Sequence, residues 1–405
     1  MVVTFAAVAC SGSSDAAKDE SPESSDSESV ASAESAESAA EPSYPNDLEL
    51  RLNQIQGIGT HNSYHPAPLA TPLPAGFEGL ATAVDYRHES LTTQLDKLGV
   101  RHVELDVWLD SKGGRWAKRP LLEGTGSPTE ASEPEWSKPG LKVLHVAQLD
   151  PDSSCIAFVD CLDELNTWSV ANPGHMPIMI FVEIKDVDFF DTAGEPQLEE
   201  WGPEEYDALD AEIRSVLSED RIITPDEVQG DHATMEEALS KDGWPSLADS
   251  RGRFLFVSCN CLAQDRHRID YVRSDGGLKG RVLFPTSEPG SETTGVILGD
   301  NPLTASAEIA GLVEKGYLVR TRSDANTVEA RAGDHTRAEA AFASGAQFVS
   351  TDYPKPDPLI SSTFQVNVPG GTIGRCNPVS VLGTCTANDI ENPDALRRKD
   401  FVPQR

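Results

Sequence analysis

The chain has 405 residues, room for two average domains or for one large α/β barrel. It carries 33 Lys and Arg against 66 Asp and Glu, a formal net charge of −33, and its hydrophobic content is only 38%. That surface argues against nucleic acid as a partner, because phosphate contacts need clustered Lys and Arg. No apolar stretch reaches the ~20 residues needed to span a bilayer.

At the N-terminus, Phe5-Ala6-Ala7-Val8-Ala9 runs into Cys10 and then into a serine-rich stretch. Residues 1–10 resemble the end of a bacterial lipoprotein signal, in which the cysteine is lipidated and becomes the mature terminus. They depart from it in lacking a basic segment before the short apolar run; the plainer alternative is a disordered cytosolic extension. Residues 11–45 hold twelve serines, nine acids and a single lysine. Such a segment cannot bury enough apolar surface to offset chain entropy, so 11–46 is expected to be a disordered acidic linker.

From residue 47 the apolar segments recur in the order of a parallel α/β fold. Strands are predicted at 55–60, 101–107, 142–145, 178–184, 253–259, 281–284, 317–321 and 347–351, eight in all. Helical patterns lie at 89–98, 158–171, 204–217, 305–315 and 338–344. Pro203 sits at a helix start, and Gly99 and Gly316 follow helix ends, where each is favoured. The expected fold is an α/β, TIM-type (β/α)8 barrel over 47–361, somewhat irregular, with catalytic groups at the C-terminal ends of its strands. Segments 109–140 and 260–300 show no clear helix and read as long loops. Trp116 and Trp136 in the first would either touch substrate or lipid, or pin the loop to the body. Residues 362–405 are expected to form a disulfide-stapled extension packed on the barrel.

Six further cysteines fall as close pairs: Cys155 with Cys161, Cys259 with Cys261, and Cys376 with Cys385. None has the C-x₂-C spacing of a zinc site. Disulfides in an oxidising compartment are the better reading, although six cysteines allow about 15 connectivities.

The chemistry sits at strand ends. Strand one closes in Thr60-His61-Asn62-Ser63-Tyr64-His65. On strand two, His102, Glu104 and Asp106 share one face and Val103, Leu105 and Val107 the other. Glu104 and Asp106 would project together, ~7 Å apart, and would repel unless a cation lies between them or one holds a proton. Glu183 and Lys185 interrupt an otherwise apolar strand and must pair or meet a ligand. His145 ends the short strand three. A lone histidine of this kind is usually a satisfied core residue. Two histidines, three carboxylates and an amide at successive strand ends are instead suited to a hard divalent cation and to proton transfer around a phosphate.

Taken in order, Gly59-Thr60-His61-Asn62-Ser63-Tyr64-His65, Val103-Glu104-Leu105-Asp106-Val107-Trp108, Val143-Leu144-His145, Phe181-Val182-Glu183-Ile184-Lys185, Val349-Ser350-Thr351-Asp352-Tyr353-Pro354 and Arg375-Cys376-Asn377-Pro378-Val379 carry a resemblance. The chain resembles the calcium-dependent phosphatidylinositol-specific phospholipases C, in particular their bacterial secreted branch, from about residue 50 to 390. The resemblance implies Ca²⁺ held by Asn62, Glu104, Asp106 and Glu183, an all-oxygen set. It implies that His61 contacts the phosphoryl oxygen and that His145 protonates the leaving diacylglycerol oxygen. Glu104 or Glu183 would take the proton of the attacking inositol 2-hydroxyl. Lys185, Arg320 and Tyr353 would contact phosphate or inositol.

The expected partner is therefore a phospholipid or inositol phosphodiester at a membrane surface, met by a monomeric, extracytoplasmic protein, lipid-anchored or secreted. Two rival readings stand beside it. A glycerophosphodiester phosphodiesterase shares the barrel and the strand-two acids, but usually follows its first histidine with Arg-Gly, where this chain has Asn62. A non-catalytic lipid- or inositol-binding lipoprotein would be marked by a lost histidine, and both His61 and His145 are present.

Overall fold

In the computed structural model of the chain the described residues are 44–66, 78–124, 126, 128–147, 150–186, 198–259, 266–273, 277–381 and 383–396. They belong to one unit, Pro42–Arg405. Cys10, residues 11–43, Cys261 and the side chain of Cys259 lie outside the described residues, and with them the expectations placed there.

Eight parallel strands close on themselves. They are β1 Ile55–Thr60, β2 His102–Trp108, β3 Ile178–Ile184, β4 Phe254–Cys259, β5 Leu283–Pro285, β6 Val296–Leu298, β7 Leu318–Arg322 and β8 Phe348–Thr351. β1 pairs with both β2 and β8, and the ladder continues from β2 through β3 and β4 to β5. From β8 it runs back through β7 to β6, and a single bridge between Thr286 and Val296 joins β5 to β6. The TIM-type barrel expected from the sequence is thus present, and its irregularity lies at these two short strands.

Two predicted details change. Residues 142–145 do not supply a barrel strand: Lys142–Val143 runs antiparallel on the end of β2, with Val143 opposite Val107. The missing strand is β6, a three-residue segment inside the stretch read as loop. Its brevity explains why periodicity did not reveal it, since three residues give no alternation to read.

Alternation governs the strands that were legible. Val103, Leu105 and Val107 join Ile180 and Val182 in a core shared with the flanking helix Phe158–Ala171. Met179, Phe181, Leu255, Val257 and Phe348 fill the inside. Helices Leu91–Lys97, Pro203–Val216, Pro302–Glu314 and Thr336–Ala343 appear where expected, Pro203 at a first turn. At Gly59 a Cβ would lie 2.2 Å from the His102 ring, so only glycine lets β1 approach β2 this closely.

In the 109–140 segment, Trp116 and Trp136 are buried with Trp108, Leu144 and Ala147. They pin the loop to the body; of the two roles considered for them, contact with lipid or substrate falls away. The C-terminal extension lays strand Gly374–Cys376 antiparallel on Ile55–Gly57 of β1. Disulfides join Cys155 to Cys161 and Cys376 to Cys385. Tyr44 is buried, its hydroxyl donating to the Gly174 carbonyl at 2.9 Å, so the chain meets the barrel slightly before residue 47.

Candidate active site

The C-terminal end of β1 turns sharply at Asn62, which holds a left-handed backbone (φ 45°), a conformation that costs energy in a residue other than glycine. The turn is tied to β2, because the Glu104 amide donates to Ser63 Oγ at 2.8 Å, and Thr60 Oγ1 lies 2.7 Å from that same hydroxyl. His61 and Asn62 are thereby set against the acids of β2.

The pairing of β2 with β3 places Asp106 directly opposite Glu183, so their carboxylates stand side by side. Glu104, Asp106 and Glu183 each offer an oxygen within 4.8 Å of the others, and all three residues are buried. Burial raises Glu104 to about 7; the Arg320 guanidinium opposes that rise and the Glu183 charge adds to it. Burial likewise pushes Asp106 well above the ordinary carboxylate range, with Lys185 working against the shift. Beside them the Asn62 amide donates to the Tyr86 hydroxyl at 2.7 Å, and among the described residues its Oδ1 has no hydrogen-bond partner. Asp106 Oδ1 has none either. Oxygen donors left without partners, in a buried group of like charges, fit a hard cation.

Three of the basic residues at this end face acids. Lys185 Nζ lies 2.8 Å from Asp106 Oδ2 and 2.9 Å from Glu183 Oε1. Arg320 spans Glu104 at 2.6 Å and Asp300 at 2.5 Å, with its guanidinium over the Phe181 ring. Both residues were expected at phosphate or inositol; here they neutralise the carboxylates. Arg322, two residues beyond Arg320 and so on the same face of β7, escaped notice in the sequence although period-two alternation points to it. Its Nη2 lies 3.1 Å from Asp352 Oδ2 and 3.3 Å from His61 Nδ1.

The two expected histidines both reach this end, each backed by a carboxylate. His61 Nδ1 lies 2.8 Å from Asp352 Oδ1, and its Nε2 lies 3.8 Å from Glu104 Oε1. Burial first, then the Arg322 and Arg320 charges, hold this imidazole well below its usual range, so it is neutral. His145 reaches the site from the added strand beside β2, with Leu144 N donating to Asp106 O at 3.3 Å. Its Nδ1 lies 2.8 Å from Asp150 Oδ2, and its ring is close enough for its charge to act on His61. Asp352 belongs to the Val349-Ser350-Thr351-Asp352-Tyr353-Pro354 motif, whereas nothing local in the sequence marks Asp150.

Tyr353 is not brought to the site. It is buried in the outer layer, edge-on to Phe364, and its hydroxyl donates to the Asp85 carbonyl at 3.4 Å. Tyr353 follows Asp352 directly, and the alternation that sends Asp352 inward sends it out. Tyr86, unremarked in the sequence, takes the central aromatic place, its hydroxyl 3.3 Å from His61 Nδ1.

The family model described as "Phosphoinositide phospholipase C, Ca2+-dependent" matches residues 50–378. Among solved structures, a calcium-dependent phosphoinositol-specific phospholipase C from Pseudomonas sp. in its apo form is similar, with 15% identity and a TM-score of 0.50, over 83% of this chain and 99% of that one. The same enzyme's myo-inositol complex aligns equally, at 15% identity and TM-score 0.50, over 83% of this chain and 99% of that one. A calcium-dependent phosphatidylinositol-specific phospholipase C from Streptomyces antibioticus gives 23% identity and TM-score 0.48, over 78% of this chain and 98% of that one. None of the curated proteins matches the chain.

Proposed function

The chain belongs to the calcium-dependent phosphoinositide phospholipase C family, a phosphodiesterase family, and from that premise we propose that it cleaves phosphatidylinositol to diacylglycerol and a cyclic inositol phosphate. The observation that carries the reading is the combination of three convergent carboxylates with two carboxylate-backed histidines at one end of the barrel.

Asn62, Glu104, Asp106 and Glu183 would hold calcium, which when bound makes the inositol 2-hydroxyl more acidic and offsets charge on the phosphoryl oxygens. Glu104 or Glu183 accepts the 2-hydroxyl proton. The freed oxygen attacks phosphorus and the bond to the diacylglycerol oxygen breaks. His61, neutral in the free site, takes up a proton from solvent as the anionic diester arrives, so that Nε2–H donates to the phosphoryl oxygen while Nδ1–H stays on Asp352, and Arg322 brings a positive charge to the same side. His145, oriented by Asp150, gives its proton to the departing oxygen.

The Cys155–Cys161 and Cys376–Cys385 disulfides support an extracytoplasmic location. Lipid attachment at Cys10 and action as a monomer at a membrane surface belong to the same proposal. No helix among the described residues is long and apolar enough to cross a membrane.

A head-group panel tests the reading. Vesicles of phosphatidylinositol should release diacylglycerol in calcium, while phosphatidylcholine vesicles should not. Equal release from both, or cleavage of glycerophosphoinositol alone, would overturn it.

A further inference from the structure

Asp150 is shared by two imidazoles. Its Oδ2 lies 2.8 Å from Nδ1 of His145, and its Oδ1 lies 2.8 Å from Nε2 of His65. His65 is fully buried, and its other ring nitrogen, Nδ1, lies 3.0 Å from the backbone carbonyl oxygen of Tyr86. Both neighbours of this ring are therefore acceptors. A neutral imidazole has a single N–H, so one bare nitrogen would face an oxygen lone pair away from water. The charged ring, with two N–H groups, satisfies both. Burial alone would lower His65, but the Asp150 carboxylate and the Tyr86 carbonyl outweigh it and raise this imidazole above its ordinary value. Burial would raise Asp150, yet His65 and His145 hold it down at about 2.

We propose that His65 is a standing imidazolium whose charge offsets that of Asp150 and so sets the acidity of His145. This rests on His145 as the acid of the proposed reaction. His65 touches no substrate and acts through Asp150; it is a positioning residue. An isolated carboxylate on Nδ1 would make His145 more basic, and a tightly held proton is a poor one to donate. With His65 on its far side, Asp150 still orients the His145 ring while its charge is largely cancelled. Other titratable groups act here. The Asp352 charge adds to the rise of His65, and His88, held down at about 4 chiefly by burial, carries no charge to oppose it. His61 interacts with His145 but is itself held neutral. The Tyr64 and Tyr86 hydroxyls, both buried and near Asp150, are kept protonated by burial and by the surrounding carboxylates. None of these alters the sign of the effect.

The test uses the full chain labelled with ¹⁵N-histidine between pH 5 and 9, with the His65 resonance assigned among the nine histidines by its loss in His65→Gln. The expected result is protons on both nitrogens of His65 at pH 8. A single N–H at that pH overturns the proposal, and because the readout needs no substrate, it stands whichever diester is cleaved. A second readout is the alkaline limb of kcat/KM. His65→Gln keeps a donor towards Asp150 without the charge, and should move that limb up by about one pH unit. His65→Lys, which keeps the charge, should leave the limb in place. A limb that His65→Gln leaves unmoved, or moves down, contradicts the proposal.

Discussion

The ammonium of Lys185 lies 2.8 Å from Asp106 Oδ2 where β2 and β3 end, the carboxylate wholly buried and the lysine side chain 9% exposed. It also pairs with Glu183 at 2.9 Å, so two of the four proposed calcium ligands already share a cation. Lys185→Met should therefore destabilise the protein chiefly when calcium is withheld. Removing one partner of a buried pair costs about 3–5 kcal/mol, and a bound divalent ion would offset much of it. Thermal unfolding in chelator and in calcium reads this difference. An equal loss in both conditions would place the ammonium outside the metal's neighbourhood.

The two histidines separate chemistry from packing. His145 is 17% exposed and His61 18% exposed, so neither fills a core. His61→Ala and His145→Ala should each lower turnover by about 10²–10⁴-fold while shifting the melting temperature little. A substrate with a good leaving group should partly rescue His145→Ala and not His61→Ala. A large stability loss with normal turnover per folded molecule would remove His145 from the mechanism.

How much of this was legible follows from the length of each signal. Strand β2 alternates over seven residues, and β3 is an apolar run of the same length broken only at Glu183, and that sufficed to place Glu104, Asp106 and Glu183 at one mouth. β6 has three residues and left no pattern, so residues 142–145 took its place in the count of eight. His145 was placed rightly at the site, but its strand is an antiparallel addition, and only the Val107–Val143 pairing shows why it reaches the mouth. Glu183 and Lys185 were legible as a pair needing each other or a ligand, and they do pair; that Lys185 also meets Asp106, and that Arg320 meets Glu104, depends on cross-barrel geometry. Asp150 and Tyr86 come from loops whose sequence carries no mark of their position.

Asp150 yields a pH prediction with a definite sign. Its folded-state value, about 2, lies below its ordinary 3.8, so its contribution is present above pH 3.8 and lost as pH falls towards 2. Asp150→Asn should cost about 2–3 kcal/mol at pH 6, and the gap from the parent chain should narrow on acidification through that window. Urea unfolding at pH 6, 4 and 2.5 measures it. A gap that stays constant would show that the carboxylate is not held down by its histidines.

The C-terminal extension is part of the barrel's stability. Arg101 and Glu391 form a wholly buried ion pair, with Arg101 Nε donating to Glu391 Oε2 at 2.8 Å. Glu391 also accepts from the Met176 amide at 3.0 Å. Arg101→Met should leave this carboxylate uncompensated and destabilise by about 3–5 kcal/mol, with activity per folded molecule retained. Chemical denaturation combined with active-site titration would check it; unchanged stability would mean that the extension packs without depending on this pair.

Phosphorus NMR of phosphatidylinositol vesicles incubated with the full chain tests the central claim most directly. The expected result is a cyclic inositol phosphate signal that grows in calcium, is absent in excess chelator, and returns on adding calcium but not zinc. A cyclic product formed at full rate in chelator, or a phosphate released only from glycerophosphodiesters, would contradict it.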